Sequence, residues 1–173
     1  RSSAASDVYK RQGYAYGDVQ GGLQNYTKAV YWTEKAAAQG NADAENDLGS
    51  SYFHGQGVPK DYAKASYWFK KAAAQGEVVA ENNLGKLYVV GRGVPKDSAK
   101  AVYWFKKAAD QGYAGAEASL AMIYYHGLGG PKDYTKGFYW AKKSAAQGNS
   151  LAEVLLAMVY HGGKGVPKDS AKA

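Results

Sequence analysis

The 173-residue chain predicts an all-α fold, an array of paired helices repeating every 36 residues. Three observations predict it. The phrase "YWFKKAAAQG" at 67–76 returns as "YWFKKAADQG" at 103–112. Trp stands at 32, 68, 104 and 140, and "QG" falls at 39–40, 75–76, 111–112 and 147–148. "PKD" begins at 59, 95, 131 and 167, with no insertion between copies. An unbroken period across unrelated residue types marks a unit that buries its apolar face only against its neighbours.

Each unit holds two helical stretches. In the first, "ADAENDLGSSYFHG" at 42–55, Ala44, Leu48, Ser51 and Tyr52 form one stripe. The same register gives Ala80, Leu84, Leu87 and Tyr88, then Ala116, Leu120, Ile123 and Tyr124, then Ala152, Leu156, Val159 and Tyr160. Gly49, Gly85, Ala121 and Ala157 flank the stripe, small enough for a neighbouring helix to approach closely. "GQGVP" and "GRGVP" then break the helix, because glycine frees the backbone and Pro59 or Pro95 cannot continue it. The second stretch is "DYAKASYWFKKAAAQ" at 61–75. At about 100° per residue, Tyr62, Ala65, Trp68, Phe69, Ala72 and Ala73 share an arc of about 140°, with Lys64, Tyr67, Lys70 and Lys71 on the other side. Asn25, Asp61, Asp97, Asp133 and Asp169 stand at one register before this helix, where a short polar acceptor caps free N–H groups. Gly40, Gly76, Gly112 and Gly148 follow it, suited to the left-handed residue that closes a helix.

The register divides the chain. Residues 1–11, "RSSAASDVYKR", read as a leader foreign to the repeats. Residues 12–40 form a degenerate first repeat, with Gln12 where Leu is expected and Val19 in place of the first loop glycine. Residues 41–148 hold three complete repeats, and 149–173 a truncated one, so that the chain reads as a fragment. Gly130 replaces the loop Val and Ser144 the first Ala of "KAA" in the third complete repeat, departures that bear on local packing.

The pattern A-x-x-x-L-G-x-L-Y-x-x-G-x-G-V-x-x-D-x-x-K-A-x-x-W-x-x-K-A-A-x-Q-G is carried in full by residues 80–112, from Ala80 and Leu84 through Trp104 to Gly112. On these residues the chain resembles the Sel1-like repeat family, relatives of the tetratricopeptide repeat, over roughly residues 8–173. The resemblance implies a right-handed superhelical α-solenoid of stacked antiparallel helix pairs. It also implies first helices lining a concave groove, and service as a scaffold or adaptor for a protein or peptide. Some cysteine-rich members are linked to β-lactam binding or hydrolysis and carry a disulfide in each unit; this chain has no Cys, which weakens that carry-over.

The net charge of +7 raises an alternative, an anionic polymer or cell-wall component held by a lysine face. Most of the 22 basic residues fall on the outer face of the second helix and the loop before it, which reads first as a solvated face. The periodic Tyr and Trp residues read as packing rather than as base-stacking platforms. His54 and His126 share a register two units apart, too far to share a metal, and His161 stands alone. No metalloprotease, P-loop or nucleophile-elbow motif occurs. Glu45, Glu81, Glu117 and Glu153, one per unit at one register, read as structural acids pairing with Lys on an adjacent helix. The expectation is a monomeric array that is not an enzyme, with no cofactor, metal, specific nucleic acid or membrane-spanning segment.

Binding is expected where the units differ. On the first helix these are positions 43, 46, 47, 50, 53 and 54, an arc of about 120° opposite the fixed stripe. The candidate partner-binding residues are Asn46, Ser50, Phe53, His54, Asn82, Asn83, Lys86, Val89, Met122, Tyr125, His126 and Met158. Asn46 and Asn82 suit hydrogen bonds to an extended peptide, Lys86 a charge contact, and Met122, Tyr125 and Met158 apolar side chains. The same arc also reads as packing against the next unit.

Overall fold

The computed structural model describes residues 4–17 and 23–163, and among these it is all-helical. The helices are α1 (Ala4–Gly17), α2 (Leu23–Ala38), α3 (Ala42–His54), α4 (Tyr62–Ala74), α5 (Val78–Val90), α6 (Ser98–Asp110), α7 (Ala114–His126), α8 (Tyr134–Ala145) and α9 (Ser150–Gly162). The chain divides into two compact units, residues 1–96 and 97–173. In the first unit α1 packs on α2 and α3 on α4, while α2 meets α3 and α4 meets α5. In the second, α7 packs on α8, α6 meets α7, and α9 meets both α7 and α8.

The helix ends follow the sequence. Asp61, Asp97 and Asp133 precede α4, α6 and α8, and each side chain accepts the backbone N–H three residues on at 2.9 Å. Asn25 is different: α2 begins at Leu23, so Asn25 stands within the helix and not before it. Asp169 and the last "PKD" lie outside the described residues, as does Val19. At the other ends, Gly40, Gly76, Gly112 and Gly148 all take left-handed φ, between 77° and 84°. The Gly76 N–H bonds to the Ala73 carbonyl and the Glu77 N–H to that of Ala72, closing the last turn of α4.

The core consists mainly of alanine with leucine between. Ala72 and Ala73 of α4, Ala80 of α5 and their counterparts Ala108, Ala109 and Ala116 are fully buried. Small side chains here let helix axes approach closely, so leucines of the first helices (Leu48, Leu84 and Leu87, Leu120) fill the layer. In the last repeat Leu156 of the expected stripe is half-buried, and Leu155 takes the buried place. Ser144, where other repeats carry Ala, is buried and donates its hydroxyl to the Ala114 carbonyl at 2.7 Å. Gly49 faces the Phe69 ring, and a Cβ there would stand 2.7 Å from Cδ1. Val58 packs against the core around Leu48, and Val94 is 7% exposed. Where Gly130 replaces them, an open space of 220 Å³ lies against Val102, Ile123, Tyr124 and Pro131.

Residues 4–11 continue into α1 and pack on the repeat that follows. Tyr9 stacks on Trp32 with ring centroids 5.6 Å apart, the Ser6 hydroxyl meets the Ala36 carbonyl, and Lys10 pairs with Asp43.

Candidate functional site

Three of the four acids read as structural are buried. Glu45 of α3 and Glu117 of α7 are fully buried. The Nζ of Lys71 on α4 lies 2.9 Å from Glu45 Oε1, and Gln75 Nε2 donates to Oε2 at 2.7 Å. Lys143 and Gln147 repeat the arrangement on Glu117, each at 2.8 Å. The same lysines lie over the rings of Trp68 and Trp140, 4.9 and 5.2 Å from the centroids. Lys143 titrates above its usual 10.5, first because Glu117 accepts its hydrogen bond. The lysine face is therefore not uniformly solvated: Lys71 and Lys143 lock α3 to α4 and α7 to α8. Glu153 on α9 is exposed.

The tyrosines also divide. Tyr88 is buried, but Tyr31, Tyr67, Tyr103 and Tyr139 are 51–58% exposed. Each of these four meets its neighbouring Trp edge-on at 5.1 Å, so they shield the half-buried indoles rather than fill the core.

The variable arc splits the same way. Asn82 is 1% exposed, Ala118 2% and Leu155 1%. The hydrogen bond expected from Asn82 to a partner is thus not available at a surface; its Oδ1 is buried and accepts no hydrogen bond among the described residues. Asn46 is half-buried, and its Oδ1 already accepts from Asn83 Nδ2 at 3.2 Å, a bond that ties α3 to α5.

Other candidates converge. Ser50, Phe53 and His54 from α3 and Asn83 and Lys86 from α5 surround one cavity of about 130 Å³, with Phe69 of α4 as part of its wall. Sequence reasoning placed Phe69 in the core; the signal for its second role is Gly49, which makes room for the ring. His54 Nδ1 lies 3.0 Å from the Ser50 carbonyl oxygen, which can only accept, so this nitrogen carries the proton. The Phe53 ring is edge-on to His54 at 4.9 Å and to Tyr62 at 5.3 Å. Val89 is half-buried on the same helix as Lys86.

In the second unit the same registers hold different chemistry. Tyr125 keeps the edge-on contacts, to His126 and Tyr134, each at 5.2 Å. Met122 and Tyr125 pack against the cluster of Ala121, Ala141 and Leu155, and Met158 is 48% exposed. Met122, Leu155 and Met158 stand where the first unit has Ser50, Asn83 and Lys86.

At the opposite ends of α3 and α5 the charge is negative. Glu77 accepts the backbone N–H groups of Val79 and Ala80 at the start of α5. Its pKa stands above the usual 4.5, chiefly from burial and further from the nearby charges of Asp43 and Asp47, while the Ala80 and Val79 N–H groups act against the shift.

Hairpins of fixed period with apolar stripes, two of which hold a buried acid on their own lysine and glutamine, define a tandem helical-repeat protein. The chain belongs to the Sel1 repeat family: the Sel1 repeat matches residues 12–41, 42–77, 78–113, 114–149 and 150–173. Members are generally non-enzymatic scaffolds. The crystal structure of c5321, a protective antigen present in uropathogenic Escherichia coli strains, is similar at 39% identity and a TM-score of 0.86, covering 93% of this chain and 34% of that one. The chain therefore spans about a third of that antigen's length. A Sel1 repeat protein from Oxalobacter formigenes matches at 34% identity and a TM-score of 0.84, covering 96% of this chain and 69% of that one. Helicobacter pylori cysteine rich protein B matches at 25% identity and a TM-score of 0.52, covering 65% of this chain and 89% of that one. No curated protein matches the chain.

Proposed function

We propose that this protein is an adaptor that holds an extended segment of a partner protein in the groove lined by the variable faces of its first helices. One observation carries the reading. Five residues released from the repeat pattern, Ser50, Phe53 and His54 from one first helix and Asn83 and Lys86 from the next, line one cavity. A pocket with phenyl walls and polar groups at its edge suits an anchoring side chain of such a segment. The second unit offers methionine and tyrosine at the same registers, so successive repeats would read different side chains.

The alternative, an anionic polymer on the lysine face, has less support. Lys71 and Lys143 are occupied by Glu45 and Glu117. The test is capture of a partner by the immobilised protein, compared with a Phe53→Ala/Lys86→Glu variant of equal helix content. Capture should be lost in the variant. Capture at full strength, or loss instead on charge reversal of exposed Lys70 and Lys106 with steep salt dependence, would reject the groove.

A further inference from the structure

The cavity between α3 and α5 is electrostatically one-sided. Its lining is Ser50, Phe53, His54, Phe69, Asn83 and Lys86, with no acidic residue among them. Lys86 is exposed and makes no ion pair among the described residues. Glu45 and Glu81 of the same two helices are fully buried; the acids open to solvent, Asp43 and Asp47 of α3 and Glu77 at the cap of α5, gather toward the helix starts, and Asp47 is seven residues, about 10 Å along the axis, from His54. Glu77 already feels the repulsion of Asp43 and Asp47, so the starting ends of these helices do not favour another anion. The Lys86 end does.

The walls specify more than a charge. The cavity's 130 Å³ is close to the roughly 150 Å³ that holds one benzene-sized group. Two phenyl rings favour an alkyl or aryl stem, while the Ser50 hydroxyl and the second N–H of the Asn83 amide offer neutral donors to an oxygen. A peptide's terminal carboxylate, attached directly to the backbone, brings no stem; a glutamate side chain brings two methylenes and a carboxylate. At the same registers the second unit replaces Ser50, Asn83 and Lys86 by Met122, Leu155 and Met158, removing all three polar groups together.

We propose that this cavity is a glutamate-selective pocket. The stem of a partner's Glu lies against Phe53 and Phe69, and its carboxylate pairs with Lys86. The assignment rests on the reading of the first-helix faces as a peptide-binding surface.

The test uses pools of short, fluorescein-labelled, C-terminally amidated peptides, randomised except for a fixed central residue, titrated by fluorescence anisotropy. Pools with central Glu should bind about tenfold tighter than those with Gln, the scale of one charge-assisted contact. Lys86→Met should erase that preference, and Lys86→Glu should turn it toward Lys. Phe53→Leu, which keeps an apolar side chain and the fold, should weaken Glu and Gln pools alike. Equal binding of Glu and Gln pools, or a Glu preference that survives Lys86→Met, overturns the pocket while leaving peptide binding in place. So does Lys86-dependent binding confined to acid-free pools with a free C-terminus. Failure of every pool to bind overturns the pocket and the peptide reading together.

Discussion

Replacing Gly130 with valine should stabilise the protein, and the structure sets the size of the gain. Val58 and Val94, at this register in the two preceding repeats, tuck back under their loops, with Val94 7% exposed. At Gly130 that side chain is missing, and 220 Å³ of space lies against Val102, Ile123 and Tyr124. The backbone accepts the change: a Cβ at Gly130 meets nothing within 4 Å, and its φ is not in the left-handed range. Valine adds three carbons at about 0.8 kcal/mol each if fully buried, an upper figure of about 2.4 kcal/mol. The space is open to solvent on one side, which lowers the gain, while a stiffer unfolded chain adds about 0.4–1 kcal/mol. The net expectation is about 1–2 kcal/mol, a rise in Tm of several degrees for a chain of this size. Urea unfolding followed by far-UV circular dichroism reads it, with Val94→Gly as the reverse experiment, expected to cost about 2–3 kcal/mol because it opens a cavity and frees the chain. A Gly130→Val variant no more stable than the parent would refute the claim that the loop valine seals each repeat.

Three further outcomes follow from particular contacts. Lys143→Met leaves Glu117 fully buried with only Gln147 on it among the described residues; a fully buried pair broken this way costs about 3–5 kcal/mol, and with Lys143 41% exposed about 2 kcal/mol is expected from urea unfolding. Adding Glu117→Met should restore most of that loss. The raised pKa of Lys143 means its contribution is complete below 10.5 and is lost as pH rises through the higher folded-state value. Asp133 titrates below its usual 3.8, first because the Lys136 backbone N–H donates to it. The stability of the parent relative to Asp133→Asn should therefore hold at neutral pH and shrink as pH falls below 3.8, which melting curves across an acid series can follow. Gly49→Ala gains about 1 kcal/mol of helix propensity but places Cβ 2.7 Å from the Phe69 ring, whose displacement costs about 1–3 kcal/mol, so a lower urea midpoint is expected.

The repeat, its two helices, most of their caps and most of their buried stripes were legible in the sequence, because period and helix face depend on local spacing alone; the exception is the last stripe, where Tyr160 is 52% exposed and Leu156 half-buried. What was illegible involves a second helix. Rotation at about 100° per residue puts positions 82, 118 and 155 beside 50, 86 and 122 on one arc, yet Asn82, Ala118 and Leu155 are buried. The wheel contains one helix and cannot say which sector a neighbour covers. Lys71 and Lys143 leave the backbone toward solvent and then bend back to Trp and Glu, a reach that Cβ direction does not encode. Lys86, which makes no ion pair among the described residues, stays exposed.

The buried acid of α3 finds both its lysine and its glutamine on α4, and that of α7 finds both on α8. Such a hairpin can be duplicated or deleted as a cassette without stranding a charge in a neighbour's interior. Array length can then change by gene duplication without re-solving the electrostatics, which leaves the arc between α3 and α5 free to diverge copy by copy.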